Sequence, residues 1–343
     1  MILEKVRVNN LINLYPLDTL KCFERPKLIL TECMRENAML YRMLFNEWKY
    51  SEVFDEFLEK KTGVKFIKVY GDLPEFHKII RNQIEYGRPI MLKIDHLYEE
   101  LWKNSIPNEH EAHTVIVKGV NEEEYILIDE DYSQNYFDVK NVRKRMDYCE
   151  RRVKKEKLFF LASNSYQAFT DDGGLDKNHF VYYYPIKIDE REECLASEIE
   201  NDFKIMIRGV YDQLNQHIDT IEYGIECAIS NFDSILNSKE IDYNYKYIWL
   251  NYDGYAVPQE VFNLFFRATT LKMYQIFFEN VGFSDFPNDE CVDKLKEVRS
   301  YYEQCKSLFR KSVLSKKTAP CLRIPNSLKY MLESERNFYE LFL

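Results

Sequence analysis

The apolar positions change period near residue 188. Before it, short alternating runs are interleaved with helical patterns. After it, apolar residues recur at steps of three and four. "VKFIKVY" (64–70) alternates as a strand does, and "RPIMLKID" (88–95) is a nearly continuous apolar strand. "EAHTVIVKGVNEEEYILIDED" (111–131) sets two apolar runs around a polar turn, the pattern of a β-hairpin. "KLFFLAS" (157–163) and "HFVYYYPIKI" (179–188) read as two further strands, with "TDDGG" (170–174) as a loop between them. A helical region spans Pro26 to Trp48, carrying Leu28, Leu30, Met34, Met39, Met43 and Leu44. "LPEFHKIIRNQIEYG" (73–87) is an amphipathic helix closed by Gly87. The expectation for residues 1–188 is a mixed α+β domain.

Residues 189–343 read as an all-helical domain of five or six helices. Leu195, Ile199, Phe203, Met206, Val210 and Leu214 form one stripe. Phe262, Phe265, Thr269, Met273, Ile276 and Phe277 form a second, after Pro258. Cys291, Leu295, Val298, Tyr302, Cys305 and Phe309 form a third, which places both cysteines in helix packing.

Composition narrows the function classes. At 343 residues and 45% apolar content the chain can build two cores. It has 26 Tyr and 23 Phe but only 10 Gly, and neither GxGxxG nor GxxxxGK is present. No apolar stretch suits a bilayer span, and "MILEKVRVNNLINLYPL" lacks a secretory core, so a cytoplasmic protein is expected. The 8 cysteines include no CxxC pair and no zinc-type spacing, as expected of thiols in a reducing compartment. A net charge of −10 argues against nucleic acid as a partner. The exception is "RKRMDYCERRVKKEK" (143–157), either a solvated helix face or a docking patch for an acidic partner.

The hairpin carries candidate chemistry at its open end. If Val120 pairs with Glu124, Asp129 faces Val115, the same-face neighbour of His113. A carboxylate can then orient the imidazole as a general base. A register one residue tighter or looser turns the two side chains to opposite faces. The matching nucleophile is Cys22 in "DTLKCFERPKLILTEC". Pro26 forces a helix to begin close to Cys22, and a helix start stabilises a thiolate. Cys33 is the competitor, but lies mid-helix without exposed N–H groups. Asp95 ends its strand, in the site or as a cap of the following loop. His96 follows it, lining the pocket or holding the fold. His179 is a weaker alternative base, and His77 and His217 read as surface or satisfied core residues. "EHEAH" (109–113) offers two histidines but no third ligand, so no metal is expected.

"GRPIMLKIDHLYEELW…EHEAHTVIVKGVNEEEYILIDEDYS" resembles the N-terminal domain of the butirosin biosynthesis protein H family, which is papain-like. The shared pattern is a buried strand ending in Asp95, the segment "HLYEELW", His113 opening a strand that ends in "VKG" (117–119), and Asp129 closing the next. The family's early cysteine before a helix maps onto Cys22, and its aromatic segment onto "EWKYSEVF". The resemblance covers 87–132 well and 14–54 in part, and does not extend past about 190.

The resemblance implies a papain-like cysteine-peptidase-type domain followed by the helical one, and a Cys22–His113–Asp129 triad performing acyl transfer. The donor is a thioester, as on the phosphopantetheine of an acyl carrier protein, and the acceptor a small-molecule amine, in antibiotic or nonribosomal peptide biosynthesis. No bound cofactor is expected. Backbone N–H groups around Cys22 and Phe23 would hold the oxyanion. Two positions depart from the pattern: residues 9–21 contain no Gln, and Lys21 stands where the family often has His. A peptidase, amidase or thioesterase using water, and a non-catalytic binding protein keeping the fold, are the other readings.

Overall fold

A computed structural model of the chain describes residues 1–8, 23–43, 51–95, 112–130, 148–168, 176–212, 214–216, 270–279, 282–283, 288–315, 317 and 319–343. It divides into two compact units, Met1–Leu195 and Ala196–Leu343. The first mixes helices with an antiparallel sheet, an α+β arrangement. Residues 189–195 stay with it because they are tied to its first helix region. Arg35 Nη2 donates to the Asp189 carboxylate at 2.6 Å, and Cys194 N to Glu36 O at 2.9 Å.

The sheet has six strands: β1 (Val64–Asp72), β2 (Ile90–Asp95), β3 (Ala112–Val120), β4 (Glu124–Glu130), β5 (Tyr148–Lys154) and β6 (His179–Lys187). Their order is β1-β6-β2-β3-β4-β5, and every neighbouring pair is antiparallel. Helix α1 (Glu24–Met34) and helix α2 (Ser51–Thr62) lie on one face. Helix α3 (Phe76–Glu85) and helix α4 (Lys155–Ser163) lie on the other. There Phe76, Ile80 and Ile84 of α3 and Leu158, Leu161 and Ala162 of α4 pack on Leu92, Val115, Val117, Leu127 and Phe180. Gly87 takes a left-handed conformation (φ 73°) just past α3, the cap that its position predicts.

Three local expectations are corrected. "KLFFLAS" is helical: its buried Leu158, Leu161 and Ala162 fall at helical spacing, and it contains no β-branched residue to favour a strand. The region from Pro26 to Trp48 is not one helix. It breaks after Met34, where Arg35 is extended and Asn37 takes φ 68°, then resumes as a 3-10 turn over Ala38–Met43. Buried Arg35 is drawn out of helical geometry by Thr62 O and Asp189, while Glu32 caps the Met39 N–H at 2.7 Å. The described part of the basic run is β5 and the start of α4, not a solvated helix face. Two of its cations meet the hairpin turn: Arg152 lies 3.9 Å from Glu124, and Lys155 Nζ donates to Glu122 O at 2.7 Å.

The hairpin register is also different near its turn. Val120 pairs with Tyr125, not Glu124. Asn121 closes the turn, its Oδ1 accepting from the N–H groups of Glu123 and Glu124 at 2.9 and 2.6 Å. One extra residue at Lys118 then shifts the ladder, so that Val117 meets Leu127 and Ile116 meets Ile128. The bulge is braced from outside. Leu3 N donates to Lys118 O and Val120 N to Met1 O, both at 2.9 Å. A Cβ at Gly119 would lie 3.1 Å from Met1 O, a tight fit that glycine avoids.

In the second unit, residues 196–212, 270–279, Asn288–Ser315 and Ile324–Glu340 are helical. Phe203, Tyr274, Phe277, Phe278, Phe338 and Phe342 make its aromatic core. Cys291, Leu295, Val298, Tyr302 and Cys305 are buried along one helix face, as their spacing predicts. Phe262, Phe265, Thr269 and the "TDDGG" loop lie outside the described residues. Among the described residues no helix is long and apolar enough to cross a membrane.

The α3 face contains a titratable pair with a clear sign. His77 Nδ1 lies 2.8 Å from the Tyr125 hydroxyl. Burial pushes the imidazole below its usual 6.5 and the phenol above its usual 10.0, so both favour their neutral forms, with Tyr125 donating. The unfolded chain therefore binds the His77 proton more readily than the folded one. His77 costs nothing well above pH 6.5, and stability falls as pH drops through 6.5 towards the depressed folded value. Melting temperatures measured from pH 8 to pH 5 should decline less steeply in His77→Asn; parallel curves would disprove this assignment.

Candidate functional site

His113 is the second residue of β3 and Asp129 the penultimate residue of β4. The bulge at Lys118 restores at this end the register expected of the hairpin, so the two side chains share a face and lie diagonal to each other. His113 Nε2 is 2.8 Å from Asp129 Oδ1, with 3% and 1% of the two side chains exposed. A carboxylate acceptor fixes Nε2 as the donating nitrogen, which leaves Nδ1 as the position for proton exchange. Asp129 is held by two further donors. The Glu130 N–H reaches Oδ1 at 2.8 Å, and Arg151 Nη1 reaches Oδ2 at 2.9 Å. Three donors on its two oxygens hold the carboxylate in one orientation against the imidazole.

The opposite face at the same sheet end is polar as well. Lys93 pairs with Thr114, and Glu130 pairs with Tyr148, all four buried. The first turn of α1 rests here. Arg25 Nη1 donates to Glu130 Oε1 at 2.5 Å, and Tyr148 OH donates to the same oxygen at 3.3 Å. Phe23 packs edge-on against Tyr183 at 4.7 Å, with Lys27 Nζ 4.0 Å and Lys93 Nζ 5.3 Å from its ring centroid. Lys27 is paired with Asp55 of α2; burial nevertheless pushes its ammonium down, while Asp55 pulls it back up.

The residues expected in the site are thus distributed as follows. His113 and Asp129 meet. Asp95 is fully buried at the end of β2, paired with Ala112, and by register faces the α1 side with Lys93. Phe23 directly precedes α1, on that side too. Cys22 and His96 lie outside the described residues, as do Lys21, His110 and His217. Cys33 is half-buried, donates to Arg7 O at 3.5 Å, and has its thiol pushed up to about 11 by burial, which fits packing. His179 opens β6 at the same sheet end, two strands from His113, and its ring lies between Asp72 and Asp176, at 3.1 and 3.6 Å. Among the described residues no group of three or more His, Cys, Asp or Glu side chains could hold a metal ion.

Sequence reasoning missed Arg25, Glu130, Arg151 and Lys93. The available signal was charge inside apolar strands. "IMLKID" and "YILIDE" each carry ionic residues where a strand is otherwise apolar, and a charge in a buried strand needs a partner.

Asp129→Ala should lower the unfolding free energy by about 3 kcal/mol or more, since it removes one acceptor from two buried cationic or protic partners. Arg151→Met should cost less, because Asp129 keeps His113 and the Glu130 N–H. Urea titrations of both variants check the ranking; equal losses would place most of the energy in the Arg151 contact.

No protein-family model matches the chain, and no curated protein does.

Proposed function

We propose that the chain is a cysteine-dependent acyltransferase of papain-like type, acting in the cytoplasm on a carrier-bound or other thioester with an amine as acceptor. The observation that carries this reading is the buried His113–Asp129 pair, at the sheet end to which Arg25 tethers the start of α1. Cys22 precedes that helix by two residues. His113 Nδ1 accepts the Cys22 thiol proton, and the thiolate attacks the thioester carbonyl. The C–S bond to the donor breaks, and the departing thiolate takes the proton from His113. The amine then attacks the enzyme-bound acyl group, loses its proton through His113, and frees Cys22. Asp129 keeps the imidazole in one orientation throughout.

The faces of the sheet set a constraint on this chemistry. His113 points to the α3 side, whereas Phe23 and Arg25 lie on the α1 side. A group at the start of α1 reaches the imidazole around the ends of β3 and β4, not through the sheet.

A second reading has its own support. Asp129 is saturated by donors and His113 is only 3% exposed, as in an ion network that merely holds a non-catalytic fold. Thiol reactivity separates the two. Burial pushes the thiols of Cys33, Cys291 and Cys305 up to about 11, 12 and 11, so these three stay unreactive near neutrality. Iodoacetamide labelling followed by peptide mass analysis should show one thiol reacting well below pH 8, lost in Cys22→Ala and slowed in His113→Ala. Uniformly slow labelling of all 8 cysteines would sink the catalytic reading. With an acyl-thioester and an amine, intact mass should show an acyl adduct discharged faster by amine than by water; the reverse order would make the protein a hydrolase.

A further inference from the structure

The passage from the first unit to the second is held by charge more than by apolar packing. Strand β6 ends at Lys187, and the first unit ends at Leu195. Between them the Asp189 carboxylate lies in a clamp: Arg35 Nη2 donates to Oδ1 and Arg191 Nη2 to Oδ2, both at 2.6 Å. The same two arginines reach the end of α2, Arg35 Nε to Thr62 O at 3.0 Å and Arg191 Nη1 to Lys61 O at 3.4 Å. Gly63 makes room for the clamp, since a Cβ there would collide with the Asp189 carboxylate. Further on, Glu36 N donates to Glu192 O at 3.2 Å and Cys194 N to Glu36 O at 2.9 Å. A helix begins at Ala196, so Leu195 alone separates it from the last of these bonds.

Of residues 189–195 only Cys194 is buried. Lifting this segment therefore exposes little apolar surface of its own, and apolar burial is what makes local opening costly. Arg35 lowers the cost further. Its side chain is 0% exposed, and its Nη1 has no hydrogen-bond partner among the described residues. A buried donor left unmet gains water on opening, which offsets part of the lost ion pair. We infer that residues 189–195 form a strap that opens as one piece, with Arg35 and Asp189 as its latch, and that it sets the free chain joining the two units. Closed, that chain is Leu195 alone; open, it is all of residues 189–195, about 24 Å when extended. Nothing in the strap depends on the chemistry of His113, which sits at the opposite end of the sheet.

Amide hydrogen exchange and nitrogen-15 relaxation on the full chain provide the test. In the wild-type protein the Glu36 and Cys194 amides should exchange at least about tenfold faster than those of Met91 and Leu92 in the sheet centre, because they open without global unfolding. Asp189→Ala leaves buried Arg35 without its carboxylate and should speed Cys194 exchange by roughly a further tenfold. It should also shorten the rotational correlation time of the helix Asn288–Ser315, as a longer tether permits, while Met91 and Leu92 keep their wild-type rates. Arg191→Gln spares the buried Arg35–Asp189 pair and should move both readouts the same way by less. Wild-type Cys194 exchange as slow as that of Met91 would mean that the strap opens only with the whole unit, and would overturn the inference. So would faster strap exchange in both variants with an unchanged helix correlation time, which would leave the clamp as a local brace.

Discussion

The sheet end depends on two consecutive buried carboxylates at the close of β4. Asp129 collects His113, Arg151 and a backbone N–H on one face; Glu130 collects Arg25 and Tyr148 on the other. Burying such groups is expensive, and only close opposite charges and full hydrogen bonding offset the desolvation. The cost is tolerable because the partners come from three different elements: β3, β5 and α1. Each element is thereby fixed at a defined place, which apolar contacts, being non-directional, would not do.

The bulge at Lys118 gives this arrangement its register. The turn after Val120 is closed by Asn121, which would set His113 and Asp129 on opposite faces if the ladder ran unbroken. One extra residue in β3 corrects the parity before the strand reaches His113. The segment Met1–Leu3 pairs with the outer edge of β3 beyond the end of β2, and Gly119 admits it. Lys118 itself is buried and paired with Glu150, so the irregular residue is also charge-compensated. The His113–Asp129 contact at one end of the hairpin is therefore tied to the geometry of the other.

Elements with strong local signals were legible in the sequence. The alternation of "VKFIKVY", the apolar strand ending at Asp95, the Gly87 cap and the 4-3 stripe from Cys291 to Cys305 all follow from period and cap chemistry alone. Where local signals conflict, tertiary contacts decided. "KLFFLAS" is apolar enough for either state, and burial against the α3 face selects a helix. The helix from Glu24 stops at Met34 because Arg35 finds Asp189, 154 residues away.

The sequence by itself determined the α+β and helical halves of the chain, the hairpin, and the residue types at its mouth. Those depend on short-range periodicity, which any window of the chain displays. Only the tertiary structure decided which residues meet. The His113–Asp129 contact needs the bulge, Arg151 needs β5 beside β4, and Arg25 needs α1 laid across the opposite face. Each joins positions far apart along the chain, and a long-range ion pair is set by the packing of whole elements, not by any spacing that the sequence shows.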